Sequence, residues 1–321
     1  MKLIKTISIF IHLVWFQACV GEQGIFTNVA EVNLDNIPQS SELRIDDVAI
    51  HSKERLYICE RQKSVYSVLT QTSEVKEIKP TVIKEGKIWV PMAIATDDEK
   101  LYVAGYYSVS IFDLSGNLIR EFDTEIRIPT SIEVTKNGTI YIAGDKEGQV
   151  LHKYDGNRVE KPLLKGFTHE DRMVVYNFAG GMVHKWKEGI VFGAKTPYEL
   201  VMVDGSGNIT ERVTRPELDF EPKFKIERDE ERRSVSFHNN QIGKGRSVVA
   251  TNALVFYGYS LLLPKSAKYI DIYEHPLTPI AKDIQIDAII LGADEEGYLY
   301  FKRKEEGRER LFRGKFNDSK F

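Results

Sequence analysis

Ile128 to Gly156 reads IPTSIEVTKNGTIYIAGDKEGQVLHKYDG, and the rest of the chain consists of looser copies of it. Ile132 and Val134 alternate with polar residues, Lys136-Asn137-Gly138 supplies turn chemistry, and Ile140-Tyr141-Ile142-Ala143 resumes a β-branched and aromatic run. That pattern predicts strand, tight turn, strand. A further turn over Gly144 to Gly148 leads to Val150–Tyr154, and Asp155-Gly156-Asn157 turns the chain into Arg158 to Leu164. The unit is a four-stranded meander.

Its second strand recurs as Leu56-Tyr57-Ile58-Cys59, Leu101-Tyr102-Val103-Ala104, Ile190-Val191-Phe192-Gly193, Leu254-Val255-Phe256-Tyr257 and Leu299-Tyr300-Phe301, giving six copies. Leu56 and Leu299 are 243 residues apart over five intervals, a mean of about 49, close to the spacing of propeller blades. A lone meander has two faces to cover and two open edges, whereas radial packing against neighbours buries both faces. The expectation is an all-β, six-bladed β-propeller of four-stranded antiparallel blades. The sixth copy has three strands, read as Ile286 to Leu291, Tyr298 to Lys302 and Glu309 to Phe316, so the fourth must come from elsewhere. IFTNVAEVNL, from Ile25, has strand composition and no blade of its own, and is expected to close the ring. The interval from Ile190 to Leu254 is too long, and its excess forms a charged insertion at about 214–246. Seven blades is the alternative, should that insertion hide a degenerate blade. Helix is expected only as a turn or two near Arg228 to Arg233.

Pro129-x-x-Ile132-x-Val134 followed by Gly138-x-Ile140-Tyr141-Ile142-Ala143 resembles the NHL-type repeat of six-bladed propellers. The whole chain resembles the exported six-bladed propeller lipoproteins of Bacteroidetes. This resemblance implies a fold and an address, not a substrate.

The start of the chain carries its own address. Lys2 and Lys5 precede an apolar run from Ile7 to Phe16 that is too short to span a bilayer, so residues 1–18 read as a signal peptide. Phe16-Gln17-Ala18-Cys19 resembles a lipoprotein cleavage box, which makes Cys19 the expected lipidation site. Residues 19–24 would then be a short linker and 25–321 a single propeller domain. The only other cysteine, Cys59, sits at the end of a repeat strand and is expected to pack as a small hydrophobe. With 44 basic and 47 acidic residues and a net charge of −3, the chain lacks the basic footprint of a nucleic-acid binder. The run Lys302 to Lys315, with seven basic and three acidic residues, reads as the solvated faces of the last blade.

Catalytic signatures are absent: no Gly-x-Ser-x-Gly, no His-Glu-x-x-His, no phosphate loop, no Cys-x-x-Cys and no Asp-rich calcium loop. Propellers gather their sites where loops converge at the channel mouth. The loops joining second to third strands, and each blade to the next, should share that face. Trp89, Tyr106, Tyr107, Arg127, Tyr176 and Lys195 are the candidate ligand-binding residues there, with Arg61 and Lys302 on the same loops. Aromatic and Arg side chains combine contact area with a polar handle, and such a mix suits a polar or anionic ligand. Lactonase-type propellers hold a divalent metal through carboxylate and Asn ligands. Asp46, Asp47, Glu133, Asn177 and Asp287 lie near inner strands, so calcium or a similar cation is a minor alternative to having no cofactor. Two functions follow: a bacterial envelope lipoprotein acting as a binding or scaffold propeller for a glycan, peptide or protein partner, anchored in the membrane through Cys19, or a hydrolase or lyase, with or without a lactonase-like metal, working at the channel mouth.

Overall fold

The computed structural model describes residues 25–79, 89–155, 158–218, 220–229, 234–239, 243–261 and 266–320. Among them are six four-stranded antiparallel sheets. Blade 1 comprises Asp47–Ser52, Arg55–Glu60, Ser64–Leu69 and Glu74–Ile78, and blade 2 Pro91–Thr96, Lys100–Gly105, Ser108–Asp113 and Leu118–Asp123. Blade 3 is Pro129–Val134, Ile140–Lys146, Gln149–Asp155 and Arg158–Lys165, and blade 4 is Gly181–Trp186, Gly189–Ala194, Glu199–Val203 and Ile209–Thr214. Blade 5 runs through Gly243–Ala250, Leu254–Leu261, Ala267–Glu274 and Thr278–Ile286. Blade 6 takes Ile289–Ala293, Tyr298–Glu305 and Arg308–Phe316, and its outer strand is Phe26–Glu31. The fold is a six-bladed β-propeller. Inner strands of successive blades are neighbours all round the ring, and the last returns to the first.

Closure by the N-terminal strand follows from that pairing. Phe26 stands opposite Phe316 and Glu31 opposite Phe312, with a bulge between Thr27 and Ala30. The Phe26 ring stacks on Phe301 at 4.5 Å, and the Val32 amide donates to the Leu311 carbonyl at 2.9 Å. The strand thus covers the edge that the last blade would otherwise expose.

The repeat strand supplies the core. Tyr57, Tyr102, Tyr141, Val191, Val255 and Tyr300 occupy its second position and all are buried between blades. Buried tyrosines need partners for their hydroxyls. Tyr57 finds the Leu114 carbonyl, Tyr102 the Asp97 carboxylate at 2.6 Å and Tyr300 that of Asp294 at 3.4 Å. Asp97 and Asp294 also accept backbone amides of their own turns, so one carboxylate shapes the hairpin and anchors the core ring. On the next turn Asp113 and Asp204 shape the hairpin alone, each accepting from the Asn four residues on. Cys59 is a buried free thiol.

Three expectations need correction. The long interval holds a two-stranded hairpin, Phe224–Asp229 paired with Ser234–Asn239, rather than a seventh blade. Arg228 therefore lies in a strand where a helical turn was expected, because Phe224 and Ile226 alternate with Lys225 and Glu227 at strand period; residues 230–233 lie outside the described residues. Ile286 ends blade 5 instead of starting blade 6. The one α-helix among the described residues, α1 (Arg172–Phe178), precedes blade 4, with Asp171 capping it by accepting the Met173 amide at 2.8 Å. Cys19 also lies outside the described residues.

Candidate functional site

The strand order fixes which loops share a face. Each inner strand starts where the outer strand of the preceding blade ends, and the turn between the second and third strands returns to that same end. On this face the six inner strands surround a funnel of about 370 Å³.

The basic side chains around it come mainly from blades 4, 5, 6 and 1. Arg61 lies in the turn after the second strand of blade 1. Its Nε donates to the Met92 carbonyl at 3.1 Å and one Nη to the Thr130 carbonyl at 3.4 Å, so it reaches from blade 1 across blade 2 to blade 3. Lys195 lies in the matching turn of blade 4. Its Nζ donates to the Tyr176 carbonyl of α1 at 3.3 Å, and its backbone is tied to Gly180 and Gly245. Lys244 and Arg246 enter on the inner strand of blade 5 and flank Gly245. A Cβ at Gly245 would fall 2.4 Å from the Ala194 carbonyl oxygen and 2.5 Å from the Tyr257 hydroxyl, so only glycine lets this strand press so close to blade 4. The register shifts between Gly245 and Ser247, and such a bulge re-aims the neighbouring side chains. Arg44 and Lys302 complete the arc.

Carboxylates offset only part of this charge. Arg44 pairs with Asp46 at 3.1 Å and Lys302 with Glu309 at 3.1 Å. Asp47 spends one oxygen on the Val48 amide and the other on the Ile94 amide, stitching blade 1 to blade 2. Glu133 likewise accepts from the Val134 and Lys185 amides. Arg61, Lys195, Lys244 and Arg246 have no ion pair among the described residues. Arg246 has Ser260 Oγ at 2.8 Å from its Nε, while Lys244 Nζ has no hydrogen-bond partner among the described residues.

The titration of these groups records the strain. Burial, then the charges of Lys244, Arg61 and Arg246, hold the Lys195 amine well below the usual lysine range. Burial and then Arg246 bring Lys244 down to about 8. Arg246 touches water yet is also shifted down by burial, because a concave funnel surrounds it with protein on most sides. Asp47 is pushed up to about 6 by burial, against the pull of the Ile94 amide and Arg61. His184, deeper in the channel, is lowered by burial.

Of the residues expected at the mouth, Lys195 lines the funnel, and the Tyr176 main chain holds it. Tyr106 and Tyr107 are exposed on the blade 2 turn, with the Tyr106 hydroxyl accepting from Gln62 at 3.0 Å. Tyr107 has φ 58 and is held by backbone bonds to Ile126 and Thr124. Arg127 is exposed on the connection into blade 3. Trp89 instead lies edge-on to Phe112 at 5.6 Å, against the core shared by blades 1 and 2. Lys302, read from the sequence as a solvated strand face, is turned inward to Glu309 and the Ile45 carbonyl. Lys244 and Arg246 belong to the site but stand at the edge of the charged insertion in the sequence; the only local signal for them is Gly-x-Gly-x-Ser-Val-Val running into a repeat strand.

The carboxylates weighed as metal ligands are otherwise engaged. Asp46, Asp47 and Glu133 hold the contacts given above, the Asn177 amide donates to Met173, and Asp287 pairs with Lys268. Among the described residues no group of three His, Cys, Asp or Glu could hold a metal ion.

A second polar cluster lies in blade 5. Arg215, just after blade 4, inserts its guanidinium between Asp271 at 2.9 Å and Asp283 at 2.9 and 3.0 Å, with Glu217 at 2.7 Å on Nε. The Tyr198 hydroxyl donates to Asp271 at 2.5 Å, and Tyr259 donates to Asp283. Burial opposes the Arg215 charge, but the hydrogen bonds it donates to Asp283, Glu217 and Asp271 outweigh it and carry its pKa above the usual value. The cluster pins the start of the insertion. Beyond it, Phe224 of the hairpin packs on Phe178 of α1 and on His169, so the connections into blades 4 and 5 meet on the funnel's face.

Solved structures resemble the architecture. A protein of Bacteroides fragilis described as exported matches with a TM-score of 0.58 at 10% identity, covering 90% of this chain and 94% of its own. The structure of U3-55K matches with a TM-score of 0.55 at 13% identity over 92% and 97% of the two chains, and the RRP9 WD40 repeats with 0.55 at 12% over 92% and 96%. At such identities the likeness is one of fold. No family model matches the chain, and no curated protein does.

Proposed function

We propose that this chain is an exported, lipid-anchored binding propeller of the bacterial envelope, capturing an acidic group of a glycan, peptide or protein partner at the funnel on its loop face. One observation carries the reading: Arg61, Lys195, Lys244 and Arg246 converge on a concave mouth with no ion pair to a carboxylate among the described residues. Buried charge that costs stability in the free protein is offset when an oppositely charged ligand arrives. The fold is compatible with a binding or scaffold role, although a propeller alone names no function. For the address, the support is the signal-like start with Ala18-Cys19 and a neighbour of the same fold that is described as exported.

The test is a binding screen of the purified mature protein against acidic and neutral glycans and peptides, repeated with Lys195→Met/Lys244→Met. An acidic partner should bind the parent and lose most of its affinity for the double variant. Equal binding by both, or a preference for neutral partners, overturns the proposal. Mass spectrometry of membrane-extracted protein should find Cys19 acylated and N-terminal; a chain starting beyond Cys19 overturns the anchor.

A further inference from the structure

Resting on that reading, we infer that the funnel takes a compact ligand bearing at least two anionic groups, carboxylate or phosphate, seated inside the mouth rather than laid across its rim. Size is the first reason. About 370 Å³ lies at the small end of the range for small-molecule sites, enough for a sugar acid or a small polycarboxylate but not for a folded loop.

The placement of charge is the second. Arg61 comes from blade 1, with its guanidinium fixed in orientation by the Met92 and Thr130 carbonyls, whereas Lys195 and Lys244 come from blades 4 and 5. Two anionic groups on a short scaffold can meet both walls at once, where one carboxylate satisfies at most part of the set. A preset guanidinium also grips a planar anion without paying to order it, and the ammonium groups act as point charges that accept either chemistry. The funnel's own acids are engaged elsewhere through their oxygens, Asp47 and Glu133 by backbone amides and Asp46 by Arg44, so none forms an ion pair with Arg61, Lys195 or Lys244 among the described residues.

The third reason is the protonation of the lysines. Burial and mutual repulsion hold Lys195 and Lys244 below the usual lysine range, and an arriving anion reverses the repulsion. Binding must therefore draw protons onto these amines. Affinity should fall as pH rises through about 8, where Lys244 loses its charge in the free protein.

The experiment is titration calorimetry of the mature chain with acetate, citrate, inorganic phosphate, digalacturonate and polygalacturonate, at pH 7.5 and pH 9, in buffers of different ionisation heat. Citrate or digalacturonate should bind one per chain, roughly tenfold or more tighter than acetate, with proton uptake at pH 7.5 and weaker binding at pH 9. Which of the di-anions and phosphate binds best distinguishes carboxylate from phosphate as the natural group. Lys244→Met should weaken the tight probe about tenfold or more while melting no lower than the parent, and Lys195→Met serves as the second variant should the first misfold. The inference is overturned if acetate binds as well as citrate, if Lys244→Met and Lys195→Met bind unchanged, or if no proton is taken up. Binding of polygalacturonate alone, abolished by the double lysine variant, would sink the compact-ligand inference and leave the broader proposal standing. Failure of every acidic probe and partner would sink both.

Discussion

Two sets of basic side chains sit within or beside blade 5, and the protein treats them in opposite ways. Arg215, its side chain only 7% exposed, is met by Asp271, Asp283 and Glu217 and by the face of Tyr198. Lys244 and Arg246, on the inner strand of the same blade, form no ion pair with a carboxylate among the described residues, and with Lys195 and Arg61 they crowd one another. The first arrangement is how a chain makes a buried charge tolerable, by matching it and satisfying its hydrogen bonds. The second leaves the charge to be matched from outside. The contrast separates a cluster that holds the insertion to the ring from one that costs stability until a ligand arrives.

The largest effect should come from unbalancing the matched cluster. Asp271→Ala would leave the Arg215 guanidinium short of a fully buried partner and strip the hydroxyls of Tyr198 and Tyr273 of their acceptor. Removing one member of a buried pair costs about 3–5 kcal/mol, which urea unfolding would show directly. A loss under about 1 kcal/mol would mean that the cluster does not hold the fold, and the comparison would break there.

Trp89→Ala should come next, at about 2–4 kcal/mol, because the indole packs on Phe112 against the blade 1 and blade 2 core. Its half-buried position places it near the lower end of that range. A variant that melts with the parent would return Trp89 to the candidates for ligand contact.

Lys244→Met should have the opposite sign. A lysine whose folded pKa is depressed binds fewer protons folded than unfolded, so stability rises with pH between about 8 and the usual lysine value near 10.4, and neutral pH carries the full cost. Because the ammonium still meets water in the funnel, the cost is discounted to roughly 1 kcal/mol. The variant should melt higher than the parent at pH 7 and should lack part of the parent's gain in stability between pH 8 and pH 10. Were Lys244→Met destabilising at pH 7, the amine would be serving the fold, and the two clusters would not differ in kind.

The ring was legible in the sequence and the funnel only partly so, for a physical reason. Alternation of β-branched and aromatic residues is local, and Leu56-Tyr57-Ile58 or Ile140-Tyr141-Ile142 announces a strand wherever it occurs. The three-stranded sixth copy and the orphan strand after Ile25 made closure readable as well. Sites assembled around an axis have no such local signature. Arg61, Lys195 and Lys244 come together from three blades, and Arg215 finds Asp283 from 68 residues away. Lys195 could be named because its turn follows a clear repeat strand, while Lys244-Gly245-Arg246 looks like the end of a charged insertion until Gly243–Ala250 is known to be an inner strand. Trp89 shows the limit of choosing by residue type, because a large aromatic on a connection can pack on the rim of a core, as it does on Phe112.

The smallest effect on stability should come from Tyr107, and it sharpens where the site ends. Its ring is about half exposed on the blade 2 turn, and its main chain alone, bonded to Ile126 and Thr124, shapes the loop. Tyr107→Ala should therefore change stability by no more than about 0.5 kcal/mol, and Tyr107→Gly should do no worse, since glycine relieves the positive φ. Blade 2 contributes no basic residue to the funnel, so citrate or digalacturonate should bind both variants as they bind the parent. A larger acidic partner reaching over the rim would use the exposed Tyr106 and Tyr107 faces, and its affinity should drop when either is removed. Loss of the compact probe in Tyr107→Ala with stability intact would move the boundary of the site outward from blades 4, 5 and 1 to include blade 2. In that case the uncompensated cations would be one wall of a broader site.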